Sequence, residues 1–174
     1  MVKATPKIVC NSSPLIDLAK IGCLDLLESI YQQIVIPTAV YNELIFQGTR
    51  KKGVSEIEDL ISRQIIVVKE VTDESLVKAL NKDLDLGESE AIVLALSINA
   101  DLIIIDEVDA RRLAEIYKLK KTGFIGVLIR AKKEGHIDAV KEYIDHAIKE
   151  GFWINKNLYE TIIDRLGEWP KPHN

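Results

Sequence analysis

Two cysteines, Cys10 and Cys23, are all that the 174 residues contain, and neither belongs to a CxxC pair or has histidines at ligand spacing. A disulfide scaffold and a zinc site are therefore not expected, and a reducing, cytoplasmic setting is. The three histidines, His136, His146 and His173, all fall late in the chain. None is expected to share a crevice with a nucleophilic Ser or Cys, which argues against a hydrolase triad. No G-x-x-x-x-G-K or G-x-G-x-x-G run is present, so the usual phosphate-cradling loops are missing. Apolar residues nowhere run together for the roughly 20 positions that a membrane helix needs, and the polar start from Met1 to Lys7 is unlike a signal peptide. Positive charge is not in excess either: 23 Lys and Arg face 27 Asp and Glu, for a net charge of −4. Bulk electrostatic coating of nucleic acid is thus disfavoured. An enzyme that grips nucleic acid through metal ions is not, because its own carboxylates lower the net charge.

What is present has the composition of a globular chain, 47% hydrophobic and 29% charged, and a length suited to one domain over 1–174 that folds alone or as a homo-oligomer. Short apolar runs at Ile8–Cys10, Ile34–Ile36, Ile65–Val68 and Leu102–Ile105 predict strands, with a short fifth over Leu119–Lys121. Helical spacing separates them: from Leu15 through Ile30 with a break at Gly22, around Val40–Ile45, over 54–62, over 73–81, over 88–98 and from Arg111 to Tyr117. Three more helices close the chain, those from about 137 forming an appended packing or dimerisation element. Apolar strands alternating with helices predict an α/β fold, a three-layer α/β/α sandwich around a parallel sheet of four to five strands.

Open parallel sheets place their sites at the C-terminal edge of the strands. Asn11 ends the first strand, Asp106 ends the fourth, Glu88 and Glu90 open the helix before the fourth, and Glu43 lies in the helix after the second. Carboxylates brought together there repel unless they are protonated or bind a cation, so a hard divalent ion, Mg²⁺ or Mn²⁺, is expected.

The same residues carry a family resemblance. Ile8-Val9-Cys10-Asn11-Ser12-Ser13-Pro14-Leu15 resembles the opening motif of PIN domains, a strand ending in Asp followed by Ser or Thr. The stretch from Val35-Ile36-Pro37 through Val40 to Glu43 resembles their second motif, and Gly87-Glu88-Ser89-Glu90-Ala91-Ile92 and Ile104-Ile105-Asp106-Glu107 resemble the third and fourth. Later runs, Thr122-Gly123-Phe124-Ile125-Gly126 and Gly151-Phe152-Trp153-Ile154, resemble a poorly characterised prokaryotic branch of that family. The resemblance implies a Mg²⁺- or Mn²⁺-dependent endoribonuclease, often the toxin of a VapBC toxin-antitoxin pair, with RNA as substrate, a cognate antitoxin as partner and a homodimeric state. Glu43, Glu88 and Asp106 are its implied catalytic and metal-binding residues, with Glu90 as a further ligand and Asn11 completing the site. Asn11 departs from the pattern, since a neutral amide stands where the family ordinarily has Asp.

Each position also has a plainer reading. Helix N-terminal acids such as Glu88 and Glu90 commonly serve as caps, and Ser12 beside Pro14 is expected to cap a helix with a secondary place in the site. Glu107 and Asp109 are substitutes at the fourth position, while Asp83 and Asp85 are expected only to solvate a linker. Arg50, Lys51 and Lys52, with Arg111 and Arg112, are the candidate RNA contacts, although a charge run is most often a solvated face. Trp153, Tyr159 and Trp169 are expected to pack a C-terminal helix or a dimer interface rather than stack on bases. The alternative function is a catalytically degenerate PIN domain that binds RNA or protein, a reading Asn11 favours. A receiver-like or phosphatase domain needs an acid at the first strand end, which Asn11 disfavours more strongly.

Overall fold

In the computed structural model, residues 6–46 and 53–170 are described. The elements run β1 (Ile8–Cys10), α1 (Ser12–Lys20), α2 (Asp25–Tyr31), β2 (Ile34–Pro37), α3 (Thr38–Ile45), α4 (Val54–Ser62), β3 (Ile66–Lys69), α5 (Glu74–Leu80) and α6 (Leu86–Ser97). They continue through β4 (Leu102–Ile104), α7 (Val108–Ile116), β5 (Lys121–Thr122), α8 (Phe124–Lys133), α9 (Lys141–Lys149) and α10 (Lys156–Leu166). The five strands form one wholly parallel sheet in the order β3-β2-β1-β4-β5, with Val9 opposite Val35 on one side and Ile103 on the other. This is the α/β/α architecture expected.

The strands are apolar throughout because both faces of the sheet are covered. Side chains alternate between the faces, so Ile8, Cys10, Ile34, Ile36, Ile66 and Ile104 enter one core while Val9, Val35, Ile103 and Ile105 enter the other. The first core is closed by α1, α2 and α8, joined by Ile144, Ala147 and Ile163 of α9 and α10; the second is closed by α5, α6 and α7. Helix α6 has no polar face at its centre, since Ala91 through Ala95 are all buried, as suits a helix enclosed on most sides. Among the described residues no helix is long and apolar enough to cross a membrane.

Most elements shift by one to three residues at an end from the sequence expectation, and two of these shifts have a clear local reason. The fifth strand is Lys121–Thr122, not Leu119–Lys121, because the chain leaves α7 through a left-handed Lys118 and Leu119 packs into the second core before the ladder with Ile103 and Ile104 begins. Helix α6 starts at Leu86, absorbing part of the acidic linker, because Asp85 and Glu88 form a reciprocal capping box.

Candidate active site

The sheet order reverses direction between β1 and β4, and a crevice opens where the connections leaving these neighbours diverge. Asn11 is held at that point by its own N–H, which donates to the Ile104 carbonyl at 2.9 Å and extends the β1–β4 ladder by one step. Its side chain is 1% exposed. The amide Nδ2 donates to Glu107 Oε2 at 3.2 Å, whereas the buried Oδ1 has no hydrogen-bond partner among the described residues. Ser13 donates its hydroxyl to the other oxygen of Glu107. Glu107 therefore sits across the crevice from the start of α1, held by two of its side chains.

Glu43 reaches the same region from α3. Burial pushes its carboxyl above the ordinary range, with the charges of Asp85, Glu107 and Glu90 adding and a hydrogen bond from Ser12 opposing. Its closeness to α6 depends on a glycine: a Cβ at Gly87 would lie 2.5 Å from Glu43 Oε1. Glu88 is 7% exposed and accepts the Asp85 N–H at 3.0 Å, while its own N–H donates to Asp85 Oδ1 at 2.8 Å. Burial raises its pKa first, and Asp85, Glu107 and Glu43 raise it further against the Asp85 N–H bond.

Asp106 leaves the end of β4 toward α8. Both of its oxygens lie 3.1 Å from the Phe124 N–H, at the positive end of that helix. Burial nonetheless lifts its pKa to about 6, with Glu107 and Asp17 adding and the helix amide and Arg111 opposing. Here too a glycine makes the room, because a Cβ at Gly123 would fall 2.1 Å from Asp106 Oδ1. Glu107 is thus the common electrostatic neighbour of Asp17, Glu43, Glu88 and Asp106. It is more central than the secondary place the sequence reading allowed it.

Several expectations are corrected. Glu90 is engaged elsewhere as well: its carboxylate accepts the Ala39 N–H at 2.8 Å and it lines a separate surface cleft with Thr38 and Glu70, while its charge still bears on Glu43. Ser12 is not a helix cap, since Asn11 holds the N-cap position and the Ser12 hydroxyl serves Glu43. Asp85 is no mere linker solvator; it caps α6 and adds its charge to Glu43 and Glu88, a role the Asp85-x-x-Glu88 spacing could have signalled. Asp17, one turn into α1, was missed because nothing local in the sequence marks it. Trp153 is 80% exposed rather than packed on a helix of its own chain. Asp109 is exposed in the first turn of α7 and Arg112 is exposed beyond it, while Arg111 donates to the Ile105 carbonyl at 2.9 Å. Arg50, Lys51 and Lys52 lie outside the described residues.

Among the described residues no three acidic, histidine or cysteine side chains converge closely enough to hold an ion directly. The donors that do gather are all oxygens and include the orphaned Asn11 Oδ1, a set that suits a hydrated hard cation keeping several of its waters.

A family model described as a PIN domain matches residues 7–168, and the chain belongs to that family. PIN domains are generally nucleases that act on nucleic acids and use divalent metal ions. No curated protein matches the chain.

Proposed function

We propose that the protein is a Mg²⁺- or Mn²⁺-dependent endoribonuclease whose site is the crevice between β1 and β4. The observation that carries this reading is the buried, unpartnered Asn11 Oδ1 beside Glu107, facing carboxylates whose pKa values are raised by burial and by one another. Both features call for a cation. Asn11, Glu43, Glu88, Asp106 and Glu107 would hold the ion, directly or through its waters. When bound, it would supply Lewis-acid activation of a water and of the phosphodiester. Around it, Ser12 orients Glu43, Ser13 orients Glu107, and the first amide of α8 orients Asp106. A role as the toxin of a toxin-antitoxin pair belongs to the same proposal and rests on the motif resemblance.

One observation favours the second reading, a degenerate domain that binds RNA or protein without cutting. Both Glu107 oxygens already accept hydrogen bonds from neutral side chains, so this acid is satisfied without metal. Incubating the purified protein with varied single-stranded RNAs and Mg²⁺, Mn²⁺ or EDTA decides between them. Metal-dependent cleavage that is lost in Glu43→Gln and Glu107→Gln supports the nuclease; its absence with every RNA leaves the degenerate domain.

A further inference from the structure

An open groove of about 590 Å³ shares Asp106 and Glu107 with the acidic crevice. Its wall also carries the apolar side chains of Val108, Trp153 and Leu158, with Ile125 of α8. Three of these large apolar side chains are strongly exposed: Trp153 at 80%, Val108 at 81% and Leu158 at 53%. Trp153 is held in place through the chain beside it, since Phe152 packs its ring against Phe124 with centroids 4.9 Å apart. Phe124 is the residue whose N–H holds Asp106. The exposed indole and the Asp106 carboxylate are thus both tied to Phe124 at the start of α8. Arg111 and Lys121 line the same groove.

We infer that this groove is a base-binding subsite, in which Trp153 stacks against an unpaired nucleobase next to the phosphate engaged at the acid cluster. The occupant is single-stranded nucleic acid, and the inference rests on the nuclease reading of that cluster. Charge supports it. The two acids and the two basic residues that line the groove offset each other, so its apolar wall suits an uncharged planar group, and Lys121 and Arg111 add positive charge for the backbone phosphate beside that group. Size agrees, because pockets for small ligands commonly span about 300–1,000 Å³. An exposed indole is also the most effective side chain for stacking on bases of any sequence. A duplex base is already stacked and paired, so the groove selects single strands.

The chain has two tryptophans, Trp153 and Trp169, so Trp169→Phe leaves Trp153 as the sole indole reporter. In that background, a short single-stranded oligoribonucleotide titrated in Ca²⁺, which offers the carboxylates a hard cation, should quench the fluorescence saturably, and the matching duplex should not. By fluorescence anisotropy of a dye-labelled oligonucleotide, which needs no indole in the protein, Trp153→Ala should weaken binding roughly tenfold, as expected for one lost stacking contact, and Trp153→Phe should restore most of it. No quenching, equal quenching by duplex, or unchanged affinity in Trp153→Ala overturns the inference. So does quenching that follows protein concentration alone with dimerisation seen by sedimentation, which would assign the groove to a second copy of the chain. The nuclease reading is scored separately by cleavage with Mn²⁺: a protein that binds through Trp153 without cutting keeps the subsite and loses the nuclease, and one that cuts with Trp153→Ala unaltered in affinity does the reverse.

Discussion

Replacing Asn11 by aspartate probes the crevice most directly, because it exchanges the amide that donates to Glu107 for a second carboxylate. The two acids would then face each other across the 3.2 Å now spanned by a hydrogen bond. Two unit charges at that separation repel by about 5 kcal/mol at an effective dielectric constant near 20. Proton uptake limits the cost, since lifting one carboxyl from a pKa near 4 to neutrality takes about 4 kcal/mol at 1.36 kcal/mol per unit. The variant should therefore lose about 3–4 kcal/mol of stability at pH 7 without metal, lowering Tm by about 10 °C for a chain of this size. An acid whose folded pKa is raised destabilises above that pKa and ceases to as the pH falls, so the gap to the parent should narrow toward pH 5. Mn²⁺ should return most of the lost Tm and raise the variant far more than the parent, because a cation between the carboxylates removes the repulsion. Calorimetric scans in EDTA and in Mn²⁺ measure all of these. An Asn11→Asp protein as stable as the parent in EDTA, with no larger response to Mn²⁺, would refute both the packing of Asn11 on Glu107 and the metal reading of the crevice.

Three further outcomes are expected. Gly87→Ala gains helix propensity but places its Cβ 2.5 Å from Glu43 Oε1, the mobile end of a side chain, so folding stability should stay within about 1 kcal/mol of the parent. Mn²⁺ affinity by calorimetric titration should nevertheless fall as Glu43 is pushed aside. Asp106, with a pKa of about 6 against an ordinary 3.8, should cost stability increasingly as pH rises from 4 to 6, by at most about 3 kcal/mol. Urea unfolding should accordingly find Asp106→Asn more stable than the parent at pH 7 and nearly equal at pH 4. Glu168 accepts the Val140 and Lys141 N–H groups at 3.0 and 2.6 Å and pairs with Lys132, so Glu168→Ala should cost about 2–4 kcal/mol in the same urea assay with cleavage activity per folded molecule retained.

The sequence by itself determined the layers. Runs such as Ile34-Val35-Ile36 and Leu102-Ile103-Ile104-Ile105 can be apolar at every position only where both faces of a strand are buried, and the helices between them then force a parallel order. It also pointed to Asn11 and Asp106, because a polar residue directly after a buried strand has few other places to go, while Glu43 and Glu88, inside helices, stood out only through the motif resemblance. What it could not determine was where those side chains point. Glu88 and Glu90 stand two apart on α6, yet one is buried in a capping box beside the crevice and the other crosses to the Ala39 amide in the first turn of α3. Asp106 and Glu107 are adjacent, yet one turns to α8 and the other to Asn11 and Ser13. Neighbours in sequence diverge there because each carboxylate is drawn to whichever donor the packing brings near, and those donors, an amide of α8, an amide of α3 and the side chains opening α1, lie 18 to 96 residues away. Only the tertiary structure could bring them together. Trp153 follows the same logic: its type is plain in the sequence, but its exposure beside the acids exists only because Phe152 packs on Phe124 across the fold.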